Sequence, residues 1–234
     1  MLTIIIPVYN EVNTIEKILD RIDVVNFISK EIIIVDDGST DGTVNLIKKK
    51  LLNRATKVIF HKKNQGKGSA IKSAKSFING DFVIIQDADL EYDPNDYQKL
   101  LNPIIDNEFK VVYGSRVLGK PRYSHTKNFT SLSRIFFNHI LTIFSNIVNN
   151  QNLTDAHTCY KIFKFDIFMQ LNLQENDFAF CPEVTTKISL LNEKIKEVPI
   201  SFKGRTVEEG KKIQFYDAIR ALITILKYRY FVKF

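Results

Sequence analysis

Two carboxylates spaced i, i+2 at the end of an apolar run are the residues of this chain best placed to do chemistry: Asp81-Phe82-Val83-Ile84-Ile85-Gln86-Asp87-Ala88-Asp89. Residues two apart on an extended strand point to the same face, so Asp87 and Asp89 would aim at one spot from about 7 Å apart. At an effective dielectric of about 20 their repulsion is roughly 2 kcal/mol, which a divalent ion would reverse. Mg2+ and Mn2+ are hard, oxygen-liking ions that sit on one or two carboxylates and complete their shell with phosphates, so the pattern reads as a metal-diphosphate site. The same Asp-Ala-Asp-Leu could instead cap a following helix. The surrounding elements must decide.

Those elements alternate. Residues 2–8 are a β-branched run broken by Tyr9-Asn10-Glu11, and helical spacing follows from Asn13. A second buried strand, 31–35, ends in Asp36-Asp37-Gly38-Ser39-Thr40-Asp41-Gly42-Thr43, and a third, 58–61, ends in Asn64-Gln65-Gly66-Lys67-Gly68 before a helix. The fourth is the run into Asp87. Strands alternating with helices give an α/β fold with a mostly parallel, Rossmann-like sheet, whose ligands bind beyond the C-terminal strand ends. One polar cluster alone is usually a cap or turn; several at one sheet edge read as a site. Gly66-Lys67-Gly68 lacks the Walker spacing and no Gly-x-Gly-x-x-Gly follows the first strand, which weakens ATPase and dinucleotide readings.

The length, 234 residues, suits one large domain. We divide it into a main domain, 1–212, and an appended C-terminal amphipathic helix, 213–234. A hydrophobic share of 44% with 25% charged residues excludes a disordered chain. Lys and Arg outnumber Asp and Glu by 33 to 26, a net +7 that favours phosphates, nucleic acid or an acidic membrane surface. Cys159 and Cys181 stand alone, so neither zinc nor a disulfide framework is indicated, and a reducing cytoplasm fits. The N-terminus reads as a strand rather than a signal peptide. The uncharged stretch 135–154 carries too many Asn, Gln and His residues for a membrane span.

In the second half, a strand over 111–113 leads to Gly114-Ser115-Arg116, where a rigid Arg could clamp phosphate or merely be solvated. Arg134 begins an amphipathic helix with Ile135, Phe136, Ile140, Ile143, Phe144 and Ile147, a face that is usually core. Residues 197–202 read as an edge strand that tolerates Pro199. Residues 215–234 form an apolar helix studded with Arg220, Lys227, Arg229 and Lys233; its greasy patch of Ile219, Leu222, Ile223, Ile225 and Leu226 favours a membrane surface and no nucleic acid.

Four ordered motifs, Pro7-Val8-Tyr9-Asn10-Glu11, Val35-Asp36-Asp37-Gly38-Ser39-Thr40-Asp41, Asn64-Gln65-Gly66-Lys67-Gly68 and Gln86-Asp87-Ala88-Asp89-Leu90-Glu91, resemble those of family-2 glycosyltransferases with a GT-A fold. The later stretches 114–116, 153–161 and 205–213 resemble the polyprenyl-phosphate sugar transferases, of which dolichyl-phosphate mannosyltransferase is the familiar member. The resemblance implies that Pro7, Tyr9, Glu11, Val35 and Asp37 hold the nucleoside, with Asp37 accepting from the base edge, and that Lys67 belongs to the donor loop. It implies that Asp87, Ala88 and Asp89 hold ribose, metal and diphosphate, with Glu91 as a third metal oxygen. Where the family commonly carries a further Gly after the Gly-Lys-Gly loop, this chain has Ser73-Ala74-Lys75. By the same resemblance the Arg134 helix is as readily interfacial as core, with Arg134 reaching a lipid phosphate.

The reading that follows is an inverting, Mg2+- or Mn2+-dependent hexosyltransferase. It moves a sugar from a UDP- or GDP-sugar to a polyprenyl (dolichyl or undecaprenyl) phosphate, peripherally on the cytoplasmic face of the membrane, where a membrane-protein partner could join it. Arg205 or Lys211 would neutralise the leaving diphosphate. Asp155 could orient the acceptor, act as base or cap a helix. Two rivals stand beside it: a soluble family-2 transferase acting on a glycan or protein hydroxyl, and a catalytically silent nucleotide-sugar binding subunit.

Overall fold

The structure, a computed structural model, describes residues 1–119, 129–205 and 215–232. Strands β1 (Leu2–Val8), β2 (Lys30–Asp36), β3 (Lys57–Phe60) and β4 (Phe82–Ile85) run parallel, β1 pairing with β2 on one side and β4 on the other. Consecutive residues Ile4, Ile5 and Ile6 are all fully buried, as are Ile33 and Ile34, which is why these strands read as continuous rather than alternating apolar runs. The chain visits β2 and β3 before crossing to β4, so strand order reverses between β1 and β4. Ligands of open α/β sheets bind at that point.

β5 (Val111–Ser115) and β7 (Ile195–Pro199) extend the sheet, β7 parallel to β5 at the edge and spanning 195–199 where 197–202 was expected. β6 (Lys161–Lys164) does not declare itself in the sequence, being four residues bracketed by Lys. It inserts antiparallel between β4 and β5, giving the order β3-β2-β1-β4-β6-β5-β7. Because β6 runs backwards, the segment that enters it, 154–160, lies at the same sheet edge as the C-terminal ends of β4 and β5.

The helices are α1 (Ile15–Asp23), α2 (Thr43–Leu46), α3 (Lys67–Ala74), α4 (Tyr97–Ile105), α5 (Phe129–Asn149), α6 (Phe165–Gln170), α7 (Phe180–Leu190) and α8 (Phe215–Leu226), the last continuing as a wider helical turn over Lys227–Phe231. α3 packs on β1 and β2, and α5, α7 and α8 pack on one another. A buried ion pair on α7, Glu183 to Lys187 at 2.7 Å, also accepts the backbone N–H groups of Gln174 and Glu175. It thereby fixes the segment against which the start of α3 rests: a Cβ on Gly66, which has φ 96°, would collide with the carbonyl of Asn176, and one on Gly68 with that of Glu175.

α8 docks on the body of the protein, burying Ala221, Ile225 and Tyr228. Among the described residues its other side is uncovered. Ile219, Ile223 and Tyr230 are 43%, 60% and 65% exposed, and Phe136, Ile143 and Ile147 on α5 are 52%, 45% and 76% exposed. Both helices thus carry apolar stripes at helical spacing towards solvent. Arg220 and Lys227 are engaged within the molecule, pairing with Asp177 and Glu175. Among the described residues no helix is long and apolar enough to cross a membrane.

Candidate active site

The loops after β1 and β2 are stapled together before any ligand is considered. Asn10 N–H donates to Ser39 Oγ (2.9 Å), Thr40 N–H to Asn10 Oδ1 (2.8 Å), Glu11 N–H to Thr43 Oγ1 (3.0 Å) and Val12 N–H to Asp41 Oδ2 (3.1 Å). Short polar side chains satisfying backbone donors are what these Asn, Asp, Ser and Thr residues contribute. Pro7 pairs with Val35 in the sheet, and Val35 is fully buried, so it lies beneath the rim that Tyr9 and Asn10 form.

Asp37 directly follows the end of β2 and is 2% exposed. Its carboxylate accepts the N–H groups of Gln65 (3.0 Å) and Gly66 (2.7 Å) and lies 2.6 Å from His61 Nδ1, while His61 Nε2 lies 2.9 Å from Ser73 Oγ. Asp37 therefore organises the loop into α3, and a contact with a base edge would have to be shared with that task. His61 was missed from sequence, although it follows β3 as the other candidate residues follow β1, β2 and β4. Ser73 is what holds its second nitrogen.

β4 stops at Ile85, earlier than its sequence suggests, and Asp87-Ala88-Asp89-Leu90 is a turn. Asp89 Oδ1 accepts Glu91 N–H at 3.1 Å, the local bond that lets Asp compete with a ladder, and Leu90 takes φ 65°, a strained value for a branched side chain. The two acids are accordingly presented by a turn and not by a common strand face. Beneath them Gln86 is fully buried; its Oε1 accepts from Tyr97 and Tyr160 hydroxyls, and its Nε2 donates to Asp87 O at 2.9 Å.

The acids are matched with cations. Lys67 Nζ lies 2.5 Å from Asp87 Oδ1. Arg205 reaches Glu11 (Nη2 to Oε1, 2.8 Å) and Asp89 (Nη2 to Oδ2, 3.0 Å), and its N–H donates to Glu91 Oε1 at 2.6 Å. Against the cost of burial, Lys67 holds the Asp87 carboxyl below its usual range. Asp89 behaves oppositely: burial first, then Asp87 and Glu91, push it up to about 6 despite Arg205. One guanidinium shared with Glu11 does not offset that crowding.

Among the described residues four carboxylates face two cations, a negative excess that a divalent ion would balance, and Asp87 with Asp89 is the sparse oxygen donor set that Mg2+ and Mn2+ use alongside phosphate. The pair fits such an ion. Glu91 does not complete a trio, because its carboxylate is turned to the Arg205 backbone; among the described residues no three acidic, His or Cys side chains form a ready-made metal group.

Arg116 and Asp155, read separately from sequence, are each other's partners. Arg116 donates through Nε and Nη2 to the two Asp155 oxygens at 2.7 Å each, and its N–H donates to Oδ2 at 3.1 Å. Burial would raise the Asp155 carboxyl, but Arg116 holds it below its usual range, so it stays an anion already engaged and is a poor base. Only Nη1 of Arg116 lies outside the pair. Glu197 on β7 accepts the N–H groups of Thr154 (2.6 Å) and Asp155 (2.9 Å), a supporting role that sequence did not suggest. Ala88 is buried between the two acids. Arg134 falls in the first turns of α5, where only the backbone is described, and Lys211 lies outside the described residues.

The family model for glycosyl transferase family 2 matches residues 3–171, which contains every strand-end loop just described except that of Arg205. The chain belongs to this family. It is 27% identical over 255 residues to a dolichyl-phosphate β-glucosyltransferase of Dictyostelium discoideum, covering 98% of this chain and 74% of that protein. It is 26% identical over 183 residues to the low-salt glycan biosynthesis hexosyltransferase Agl6 of Haloferax volcanii, where it spans 75% of this chain but only 41% of the relative. The solved glucosyl-3-phosphoglycerate synthase of Mycobacterium tuberculosis, in complex with Mn2+ and UDP-glucose, superposes with a TM-score of 0.72 at 15% identity over 98% of this chain and 79% of that one. The fold of this family-2 chain is accordingly GT-A.

The crowding at Asp89 has a measurable consequence. Its folded pKa is raised from 3.8 to about 6, so ionisation costs stability: nothing below about pH 4, increasingly up to pH 6 and fully above. Asp89→Asn removes the charge and keeps an acceptor for Glu91 N–H. It is expected to stabilise the metal-free protein by about 1 to 3 kcal/mol near neutral pH and to change nothing near pH 4. Denaturant unfolding at both pH values checks this; destabilisation near neutral pH would mean that the Arg205 pairing outweighs the crowding.

Proposed function

We propose that the chain is an inverting hexosyltransferase that moves a sugar from a UDP- or GDP-sugar to the phosphate of a polyprenyl lipid, with Mg2+ or Mn2+ on Asp87 and Asp89. The observation that carries this reading is the excess of carboxylates over cations, among the described residues, at the β1–β4 switch point, which suits a divalent ion and a diphosphate arriving together. The names of the dolichyl-phosphate relatives supply the acceptor class. Neighbours crystallised with Mn2+ or Mg2+ and UDP support the donor and the ion.

In this reading Pro7, Tyr9 and Glu11 frame the nucleoside, with Asp37 and His61 holding the rim, and Lys67 faces the diphosphate. The bond from the anomeric carbon to the diphosphate breaks as an acceptor phosphate oxygen attacks from the opposite side, and the electron pair leaves on the diphosphate. The divalent ion, when bound, supplies neutralisation of that leaving charge. Arg205 adds a guanidinium already directed at Asp89, and Lys211 is assigned to the same task. An acceptor phosphate is an anion near neutral pH and needs no general base, whereas a hydroxyl acceptor does. The engagement of Asp155 by Arg116 favours the phosphate acceptor for that reason. Arg116 and Arg134 are assigned to the acceptor side, Arg116 through the nitrogen outside its ion pair.

The location that goes with this reading is peripheral, on the cytoplasmic face; the exposed stripes on α5 and α8 support attachment to a membrane surface, driven by apolar burial, since Arg220 and Lys227 are occupied within the molecule. A panel of UDP- and GDP-sugars, scored for nucleoside diphosphate release with and without polyprenyl phosphate, tests the reaction. Release is expected from one donor and only with the lipid phosphate. Asp89→Ala should lower it by roughly a hundredfold or more. Release driven equally by a sugar hydroxyl and not by the lipid would overturn the acceptor.

Attachment is tested by vesicle flotation of the full chain. Ile223→Asp combined with Phe231→Asp is expected to lose flotation while binding nucleotide normally, and salt should weaken wild-type flotation only in part. A wild-type protein that never floats, with or without anionic lipid, would contradict the location.

A further inference from the structure

Lys67 is the first residue of α3, and its ammonium sits inside the acid cluster, 2.5 Å from Asp87 Oδ1 and 3.1 Å from Cys159 Sγ. Arg205 is directed at Glu11 and Asp89, so among the described residues Lys67 is the cation that directly contacts Asp87. The backbone that carries it is braced on two sides. Gly66 N–H is bound to Asp37 at 2.7 Å, Ser69 N–H donates to Asn176 O at 3.0 Å, and the Gly66 and Gly68 backbones press against the 175–176 carbonyls. What can move is the side chain, an ammonium on a flexible four-carbon stem.

We infer that Lys67 guards Asp87: it occupies the carboxylate that a divalent ion needs and gives it up when a diphosphate offers the ammonium another anion, so that ion and nucleoside diphosphate bind together. The inference rests on the metal reading of Asp87 and Asp89. A bare divalent ion approaching Asp87 meets a cation already at hydrogen-bond distance, and like charges that close repel strongly in a partly buried setting. The diphosphate lowers that barrier twice, drawing the ammonium to its own oxygens and adding ligands for the ion. Whatever factor the nucleotide adds to ion affinity, the ion must add to nucleotide affinity, because the coupling is reciprocal.

Lys67→Met keeps an unbranched side chain of similar length beside Cys159 and removes the charge; Lys67→Gln does the same with a polar tip, and Lys67→Arg retains the charge. The probes are Mn2+ and UDP, titrated singly and together by calorimetry on the full chain. Wild type is expected to bind Mn2+ alone weakly, and at least about tenfold more tightly with UDP present. Both neutral variants should bind Mn2+ alone about tenfold more tightly than wild type, with little further gain from UDP, while the Arg variant behaves as wild type. If both neutral variants bind Mn2+ alone no better than wild type and keep the same gain from UDP, Lys67 is not a guard. If wild type binds no Mn2+ even with UDP, the metal reading itself fails, and the inference falls with it. The first failure leaves wild-type Mn2+ binding intact and the second abolishes it, so the two are distinguishable.

Discussion

The pairing of half-buried carboxylates with two basic side chains, Lys67 on Asp87 and Arg205 across Glu11 and Asp89, is the constraint on which this sheet edge depends. Charges placed where water is scarce are tolerated only with partners. Here the partners come from four separate stretches: the loop after β1, the start of α3, the turn after β4 and the segment around 205. None is near the others in sequence. The parallel pairing of β1 with β4 brings two of them together, and the backbone bonds Lys203 N–H to Glu91 O and Arg205 N–H to Glu91 Oε1 bring the fourth. Among the described residues the balance is incomplete, and the raised Asp89 carboxyl accords with that.

The second half of the site follows from one reversal of direction. Since β6 runs antiparallel between β4 and β5, the segment before it is delivered beside Asp87 and Arg116. Cys159 then meets Lys67, and Asp155 meets Arg116. Glu197 reaches the same segment from β7 and fixes it by its backbone. Lys161, buried under Tyr113, donates to the carbonyls of Ala156 and Thr158 and completes a rigid platform. In this platform Asp155 is already closed in an ion pair with Arg116, and Lys161 and Glu197 are engaged by backbone groups; in the proposed reading that suits the placing of an anionic acceptor better than the abstraction of a proton.

Much of this was legible in the residues. Continuous Ile and Val runs ending in Asp, Asn, Gly and Ser clusters identified the first four strands and their shared edge, because strands buried on both faces leave no other pattern. Asp87, Asp89, Glu11, Lys67 and Arg205 do meet. The rest depended on contacts that spacing cannot carry. A turn begins two residues before Asp89 because a local Asx bond and the positive φ of Leu90 compete with the ladder, so the same-face argument for the two acids failed. Glu91 is turned away by a backbone N–H from 114 residues further on. β6 was invisible because four residues cannot establish a period, and with it went the Arg116–Asp155 pair. The C-terminal stretch read as an amphipathic interfacial helix with a greasy patch, and spacing could not show that two of its basic residues, Arg220 and Lys227, reach back to Asp177 and Glu175.

A structure of the chain with Mn2+ and UDP bound tests the account most directly. The account requires the ion between the Asp87 and Asp89 carboxylates and the diphosphate, with Lys67 Nζ moved from Asp87 onto a phosphate oxygen and Glu91 still on the Arg205 backbone. A diphosphate bound away from the β1–β4 switch point, or an ion held by residues other than Asp87 and Asp89, would contradict it.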